Sequence, residues 1–222
     1  MKVNIAIDGP SGVGKSTVSK QIASRYGFTF INSGSVYRAI AKNTIDNGVD
    51  SRDQENVIKT LQKGMIKLLE NDRIELKGID VSKAIRADYI SQITPSVAKI
   101  PAVREFVVDY IQQLTKKRKG YIIDGRDTTF KIMPHAEVKI FLWAEEEERA
   151  KRRMKQNQEL GYNTGFAEVL YEVKKRDEQD MNREVDPLHK TEDAVFIDCT
   201  NLEIEEVIAK IMDLVKERSK DA

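Results

Sequence analysis

Runs of consecutive apolar residues alternate along the chain with segments in which apolar residues recur every three or four positions. The first pattern is typical of buried strands and the second of amphipathic helices. Strands are predicted at residues 3–7, 28–31, 121–123, 138–142 and 195–197. This alternation predicts an α/β fold in which helices cover both faces of a five-stranded parallel sheet.

Two of the predicted helices have regular apolar stripes. One covers residues 102–117 and follows Pro101, a residue suited to a first helical turn. The other covers residues 204–215. Both stripes are interpreted as ordinary core-facing surfaces.

Residues 41–96 interrupt the alternation. Ser51 and Gln54 have the spacing of a capping box and predict the start of a helix that continues to Leu69. Residues 73–77 then alternate like a half-exposed strand. We interpret the stretch as an insertion or a small subdomain.

Two further segments, residues 156–165 and 174–190, are polar, and the second is dense in charge. They are interrupted by Gly161, Gly165 and Pro187. Such composition is typical of mobile surface segments rather than of a core.

The composition excludes several classes of protein. With 37 Lys and Arg against 36 Asp and Glu, the chain lacks the net positive charge of a nucleic-acid coat or a membrane-surface protein. One cysteine, Cys199, cannot form an internal disulfide, and the two histidines cannot complete a Cys/His zinc site. No apolar stretch is long enough for a signal peptide or a membrane span. We therefore expect a soluble, unprocessed cytoplasmic protein.

The first predicted strand is followed by a complete P-loop motif, G-x-x-x-x-G-K-[ST]. The motif consists of Gly9, Pro10, Ser11, Gly12, Val13, Gly14, Lys15, Ser16 and Thr17. Its glycines let backbone N–H groups converge on phosphate oxygens, and the following helix adds its N-terminal dipole. Lys15 is predicted to bridge the β- and γ-phosphates of a nucleoside triphosphate, and the Ser16 hydroxyl to coordinate Mg²⁺. The predicted sheet is accordingly of the P-loop NTPase type.

Polar clusters follow two other predicted strands, at the sheet edge where open α/β folds bind ligands. The first occupies residues 32–38 and the second residues 124–127. In the second, Arg126 can bind a phosphate bidentately, and Asp127 can accept a hydrogen bond from an exocyclic amine.

A third cluster occupies residues 176–183. Its spacing predicts that Arg176, Asp180 and Arg183 share one face of a helix.

Together these segments resemble the bacterial cytidylate (CMP/dCMP) kinase family. The matching segments are residues 5–17, 33–34, 37–38, 124–127, 176–183 and 187–188, in the order and spacing of the family. The resemblance runs from about residue 3 to residue 215 and implies transfer of a phosphoryl group from ATP to CMP or dCMP, with Mg²⁺ as cofactor. The Asp-Gly-Arg-Asp element at residues 124–127, with the insertion before it, separates this family from adenylate, guanylate and thymidylate kinases.

The resemblance also implies roles for individual residues. The α-phosphate of CMP would be held by Arg38, Arg126 and Arg183. Cytosine would be read by Ser33, Arg104 and Asp127, with Tyr37 in the same substrate-binding set. The sugar hydroxyls would be reached by Arg176 and Asp180. Lys15, Arg126 and Arg183 would act on the transferred group.

Three regions follow from the resemblance. The core P-loop domain would comprise residues 1–35, 101–150 and 186–222. Residues 36–100 would form a nucleoside-monophosphate-binding subdomain with a small antiparallel sheet, and residues 151–185 a helical lid whose closure excludes water. The expected partners are the small-molecule substrates, not nucleic acid or membranes, and a monomer is expected.

Four positions depart from the family's pattern. Asn32 stands where an aspartate is usual, and Thr129 where a glycine is common. Pro95 replaces a serine that helps to bind the base, although Thr94 or Ser96 can supply a donor nearby. In the lid, the third basic position is Gln179. None of the four departures removes the phosphate-handling set, so activity is expected, with an altered base or sugar preference.

Some assignments stay open at this point. Asp8 and Asp124 both end predicted strands, and either can hold Mg²⁺-bound water. Arg152 and Arg153 suit the pairing of charges within a helix and equally suit contact with ATP phosphates. The turn at residues 198–201 lies at the sheet edge suited to adenine.

Two other functions are compatible with a P-loop. A GTP-binding switch would carry an Asn/Thr-Lys-x-Asp guanine-reading motif, and the chain has none. A kinase for another phosphorylated acceptor remains an alternative, because only Ser33, Arg104 and Asp127 favour cytosine.

Overall fold

The computed structural model describes residues 3–69, 72–159 and 161–220. It forms two compact units. The first comprises the chain up to Phe28 and from Lys119 onward, and the second comprises Thr29–Arg118.

Eight strands and eight α-helices are found among the described residues. The strands are β1 (Ile5–Asp8), β2 (Thr29–Asn32), β3 (Ile66–Leu69), β4 (Arg73–Leu76), β5 (Ile79–Asp80), β6 (Tyr121–Gly125), β7 (Val138–Trp143) and β8 (Val195–Asp198). The helices are α1 (Lys15–Tyr26), α2 (Ser33–Asp46), α3 (Gln54–Lys59), α4 (Asp88–Ala98), α5 (Pro101–Lys117), α6 (Glu146–Glu159), α7 (Phe166–Met181) and α8 (Ile204–Arg218). A 3₁₀ turn (Ala84–Arg86) and a π-helical turn (Thr128–Ile132) complete the fold.

The five-stranded parallel sheet predicted from the sequence is confirmed, with strand order β2-β6-β1-β7-β8. All five predicted strands are present, with ends that differ by at most two residues. β1 pairs in parallel with β6 and β7, and Asp8 at its carboxyl end lies opposite Gly125 and Phe141. Every residue of β1 is buried, which explains why its sequence is an uninterrupted apolar run up to Asp8.

Helices flank this sheet. α1 begins after Gly14 and ends at Gly27, and both glycines have left-handed backbone conformations. The Gly27 N–H donates to the carbonyl of Ala23, which closes the helix in the usual manner. Elsewhere in the first unit, α6 packs against α7 through an apolar cluster of Ala150, Val169 and Val173.

The second unit contains the predicted small antiparallel sheet, with strand order β3-β4-β5. Ile66 of β3 lies opposite Leu76 of β4, and both are buried. The predicted helix from residue 102 to 117 is confirmed as α5.

The prediction of a helix from Ser51 to Leu69 is wrong in its extent. α3 ends at Lys59, and Leu69 belongs to β3. Gly64, with a φ of 81°, lies in the intervening turn and has a backbone conformation that an α-helix does not allow. The residue that caps this helix also differs from the predicted Ser51: the side chain of Asp53 accepts the Asn56 N–H.

The segment 174–190, interpreted above as outside the core, begins in a regular helix. α7 continues to Met181, and its Asp177 and Asp180 are buried. Within the described ranges, none of the helices is both long and apolar enough to cross a bilayer.

Candidate functional site

The P-loop connects β1 to α1 and has the backbone conformation that its glycines predict. Gly9, Gly12 and Gly14 have φ angles of 151°, 76° and 101°. A Cβ atom at Gly9 would lie 2.2 Å from the carbonyl oxygen of Leu142, so only glycine fits against β7 at this point. The loop curls around Lys15, whose Nζ donates to the carbonyls of Gly9 and Pro10, each at 2.7 Å.

The ammonium of Lys15 lies in an unusual electrostatic environment. The residue is only 7% exposed. Burial lowers the pKa of Lys15 well below its ordinary value, and the nearby Arg126 guanidinium acts in the same direction. The carboxylates of Asp124, Asp8 and Asp180 oppose this shift in the pKa. An anion placed beside Lys15 and Arg126 would relieve their mutual repulsion, which is the property that a phosphate site requires.

The two aspartates left open by the sequence have different partners. Asp124, at the end of β6, accepts a hydrogen bond from the hydroxyl of Ser16. Asp8 instead accepts from the Thr128 N–H at 2.8 Å and from the Thr129 N–H and hydroxyl, both at 2.7 Å. Asp124 is therefore the carboxylate beside the predicted metal ligand, whereas Asp8 fixes the π-helical turn.

Thr129 has a structural role in this turn. Its hydroxyl supplies one of the hydrogen bonds to Asp8, and its backbone φ is not positive. The turn therefore does not need the glycine that is common at this position in the family.

The Asp-Gly-Arg-Asp element meets the end of α7. Arg126 Nε donates to Asp180 Oδ2 at 2.7 Å, and Arg176 Nε lies 3.4 Å from the same oxygen. Arg183 Nη2 lies 3.5 Å from Asp127 Oδ1. Five of the predicted substrate-binding residues are thus brought together as ion pairs within the first unit.

One detail of that prediction is wrong. Arg183 does not share a helical face with Arg176 and Asp180, because α7 ends at Met181. Arg183 follows the helix, and its Nε donates to the carbonyl of Asp186 at 2.6 Å. Arg183 therefore reaches Asp127 from the loop that follows α7, not from the helix itself.

The structure distinguishes Arg152 from Arg153. Arg152 Nη1 lies 3.3 Å from the carbonyl of Val13 in the P-loop, and its Nη2 donates to the carbonyl of Cys199 at 2.8 Å. Arg152 thereby links the P-loop to the turn at residues 198–201. Arg153 is exposed, and its Nη1 lies 3.3 Å from the side chain of Gln156.

The remaining predicted substrate-binding residues lie in the second unit. Ser33 opens α2 and is buried, and Arg38 is half-buried one turn further along. The guanidinium carbon of Arg104, a buried residue of α5, lies 5.8 Å from the ring centroid of Tyr37. Arg104 Nη1 also lies 3.5 Å from the carbonyl of Ala98.

Two of the departures from the family's pattern lie in this unit. Asn32 caps α2, and its side-chain oxygen accepts the Ser35 N–H at 3.2 Å, as an aspartate would. Pro95 lies inside α4. The neighbouring Thr94 hydroxyl donates to the carbonyl of Ile90, so of the two alternative donors Thr94 is already engaged.

Sequence reasoning missed two residues, Arg149 and Asp177. Arg149 is fully buried, and its Nη1 donates to the carbonyl of Ser11 at 2.9 Å and to Asp177 Oδ2 at 2.5 Å. Asp177 Oδ1 accepts the Ser11 N–H at 3.1 Å. The sequence holds one signal for Asp177: it lies three residues before Asp180, a spacing that places both residues on the same face of a helix.

Relatives found by comparison with known proteins cover almost the whole chain. The model of the family described as cytidylate kinase matches residues 5–217. The cytidylate kinase of Mycoplasmopsis synoviae (strain 53) is 61% identical over 216 residues, which cover 97% of this chain and 99% of that protein. That of Bacillus pumilus (strain SAFR-032) is 44% identical over 215 residues, 96% of this chain and 95% of that protein.

Solved structures resemble the fold at low sequence identity. An uncharacterized protein from Eubacterium ventriosum ATCC 27560 gives a TM-score of 0.54 at 12% identity, over 98% of this chain and 99% of that one. TT1252 from Thermus thermophilus gives 0.52 at 17% identity, over 97% and 96%. These likenesses concern the fold alone.

Proposed function

The chain belongs to the cytidylate kinase family, and we propose how its residues transfer a phosphoryl group from ATP to CMP or dCMP, giving ADP and CDP or dCDP. The observation that carries the proposal is the proximity of Lys15 and Arg126. The first belongs to the motif that binds the donor phosphates, and the second to the element assigned to the acceptor phosphate. Asp8, directly before the P-loop, lies opposite Gly125, directly before Arg126, and the Arg126 charge lowers the pKa of Lys15.

Donor binding is assigned to the P-loop. The backbone N–H groups after Gly12 and the N-terminus of α1 would hold the phosphates of ATP. Lys15 would exchange its carbonyl partners Gly9 and Pro10 for phosphate oxygens and would neutralise charge on the migrating group. Arg152, through its contacts with the P-loop and the 198–201 turn, is assigned to the ATP side of the site. Arg153 is assigned there on sequence grounds.

Ser16 and Asp124 fit a magnesium ion. Both supply oxygen, and their side chains are in hydrogen-bond contact, so one ion could bind beside both. Across the described residues there is no group of three or more His, Cys, Asp or Glu side chains that could hold a metal. This agrees with an ion that takes most of its ligands from phosphate and water, as Mg²⁺ usually does. The ion would neutralise charge on the phosphates.

Acceptor binding is assigned to the arginine and aspartate set of the first unit. Arg126, whose Nε binds Asp180, would offer its other N–H groups to a phosphate of CMP, and the same phosphate would compete with Asp127 for Arg183. Once released, the Asp127 carboxylate can accept a hydrogen bond from the N4 amine of cytosine, whereas O4 of uracil would repel it. Arg176 and Asp180 are assigned to the sugar hydroxyls.

The second unit carries the other proposed acceptor residues. Arg38 is assigned to the α-phosphate of CMP, and Ser33, Tyr37 and Arg104 to the base. The division into a core, a monophosphate-binding subdomain (residues 36–100) and a lid (residues 151–185) is part of the same proposal. A monomer in the cytoplasm is proposed as well.

A panel of acceptors tests this function. ADP formation is measured with ATP, Mg²⁺ and CMP, dCMP, UMP, AMP or GMP. We expect the highest kcat/KM with CMP and dCMP. Turnover of another acceptor without turnover of CMP or dCMP would refute the assignment. Lys15→Met serves as the inactive control, and Lys174→Met, which alters an exposed residue of α7, as the active control.

A further inference from the structure

The peptide of Ser11, in the middle of the P-loop, is held on both sides by a buried ion pair. Its carbonyl accepts from Arg149 Nη1 at 2.9 Å, and its N–H donates to Asp177 Oδ1 at 3.1 Å. The two side chains also bind each other, at 2.5 Å between Arg149 Nη1 and Asp177 Oδ2. Arg149 belongs to α6 and Asp177 to α7, so side chains from two helices bind one peptide of the loop.

The pair is deeply buried. Arg149 is 0% exposed, and its Nε donates to the carbonyl of Ala144 at 2.8 Å. Its Nη2 is buried with no hydrogen-bond partner among the described residues. A buried ion pair with an unsatisfied nitrogen adds little net stability, because desolvation offsets most of the attraction. A role in positioning the loop explains the pair better than a role in stability.

The loop needs such support at Ser11. It lies between Gly9 and Gly12, two glycines at positive φ, and glycine is the residue with the greatest conformational freedom on either side of a peptide. The Ser11 N–H donates to Asp177, so it is already engaged and is not offered to a phosphate. Phosphate binding therefore depends on the following N–H groups, whose directions are set by the orientation of the Ser11 peptide.

The same face of α7 reaches the acceptor set. Asp180, three residues after Asp177, binds Arg126. We propose that Arg149 and Asp177 are positioning residues for ATP: they fix the Ser11 peptide, and thereby the phosphate-binding N–H groups, against α7. This inference rests on the proposed function, since it assigns the loop to ATP.

The test replaces the pair by apolar residues of similar size in the full chain. In Arg149→Met/Asp177→Leu the loop loses both contacts while the interior stays packed, so unfolding temperature should change little. We expect KM for ATP to rise by about tenfold, the loss expected from a charge-assisted hydrogen bond. KM for CMP should stay within about twofold of wild type, a change well below that of one such bond.

The matched control is Lys174→Met. It breaks the Lys174–Glu146 ion pair, which also joins α7 to α6 but lies on the surface, away from the loop. KM for ATP should not change in this variant. If the double variant does not fold, Asp177→Asn takes its place, because its amide oxygen can still accept the Ser11 N–H while the charge that orients Arg149 is removed. A smaller rise in KM for ATP is then expected.

An unchanged KM for ATP in the folded variants would overturn the inference, as would equal rises in KM for ATP and CMP. Direct titration of each variant with Mg·ATP separates this result from failure of the proposed function. A wild-type chain that binds ATP but does not phosphorylate CMP would refute the function. Weaker ATP binding by the double variant would still support the positioning role.

Discussion

Asp180 Oδ2 accepts a hydrogen bond from Nε of Arg126 at 2.7 Å and lies 3.4 Å from Nε of Arg176. One buried carboxylate thus orients two of the arginines assigned to CMP. Since Asp180 is fixed on α7, the direction of Arg126 depends on the position of that helix.

Replacing Asp180 by Asn should therefore impair acceptor binding. The amide cannot make charge-assisted hydrogen bonds to the two guanidinium groups, so we expect kcat/KM for CMP to fall by about tenfold with KM for ATP little changed. Steady-state kinetics with each substrate varied in turn measures this. Glu178→Gln, on the exposed side of the same helix, is the control and should behave as wild type. Equal kinetics in Asp180→Asn and Glu178→Gln would contradict the assignment.

Replacing Asp127 separates base recognition from phosphate binding. Asp127→Ala should lose most of kcat/KM for CMP, on the order of a hundredfold, because the N4 amine of cytosine loses its acceptor. Asp127→Asn should raise the ratio of UMP to CMP turnover, since its amide can donate to O4 of uracil. Asp193→Ala removes an exposed carboxylate of the same unit and should change neither value. A CMP kcat/KM unaltered by Asp127→Ala would refute the proposed role.

Asp124 and Asp8 should differ in their effect on the magnesium requirement. Asp124→Asn should raise the Mg²⁺ concentration needed for half-maximal activity, because Asp124 adjoins Ser16. Asp8→Asn should leave that concentration unchanged but lower the free energy of unfolding by about 1–3 kcal/mol, because Asp8 binds the π-helical turn at three points. Magnesium titrations and denaturant unfolding of both variants test the distinction. A raised Mg²⁺ requirement in Asp8→Asn, with only a stability loss in Asp124→Asn, would contradict these two assignments.

The lowered pKa of Lys15 predicts a pH dependence of stability. Between this lowered pKa and the unfolded value near 10.5, the unfolded chain binds a proton at Lys15 that the folded chain does not. Wild type should therefore gain stability relative to Lys15→Met as pH rises through that window. Urea unfolding of both proteins from neutral pH to about pH 10, just below the ordinary lysine pKa, gives the difference. A difference that falls as the pH rises would contradict the assigned environment of Lys15.

The parts of the fold and site that depend on contiguous residues could be predicted from the sequence. The P-loop is a local motif between a strand and a helix, and β1 is an apolar run because it is buried throughout. The predicted extension of a helix to Leu69 is wrong for a reason that also lies nearby in the chain. Gly64 interrupts the helix, and the pairing of β3 with β4 outweighs the helical spacing of the apolar residues.

The contacts that the sequence did not reveal join distant segments. Arg149 is one of several charged residues in α6, and nothing in its own neighbourhood distinguishes it from the exposed Lys151 or Arg153. Its burial results from the packing of α6 on α7 beneath the P-loop. The difference in surroundings between Asp8 and Asp124 likewise depends on Thr128 and Ser16, which approach them only in the folded chain.

Transfer of labelled phosphate distinguishes phosphorylation of CMP by this protein from simple hydrolysis of ATP. Wild type and Lys15→Met are incubated with [γ-³²P]ATP, Mg²⁺ and CMP, and the labelled products are separated. We expect labelled CDP with wild type, and CDP formation reduced by about a thousandfold in Lys15→Met, where the transferred group loses its main cation. Release of labelled inorganic phosphate without labelled CDP, or equal CDP formation by the two proteins, would contradict this expectation.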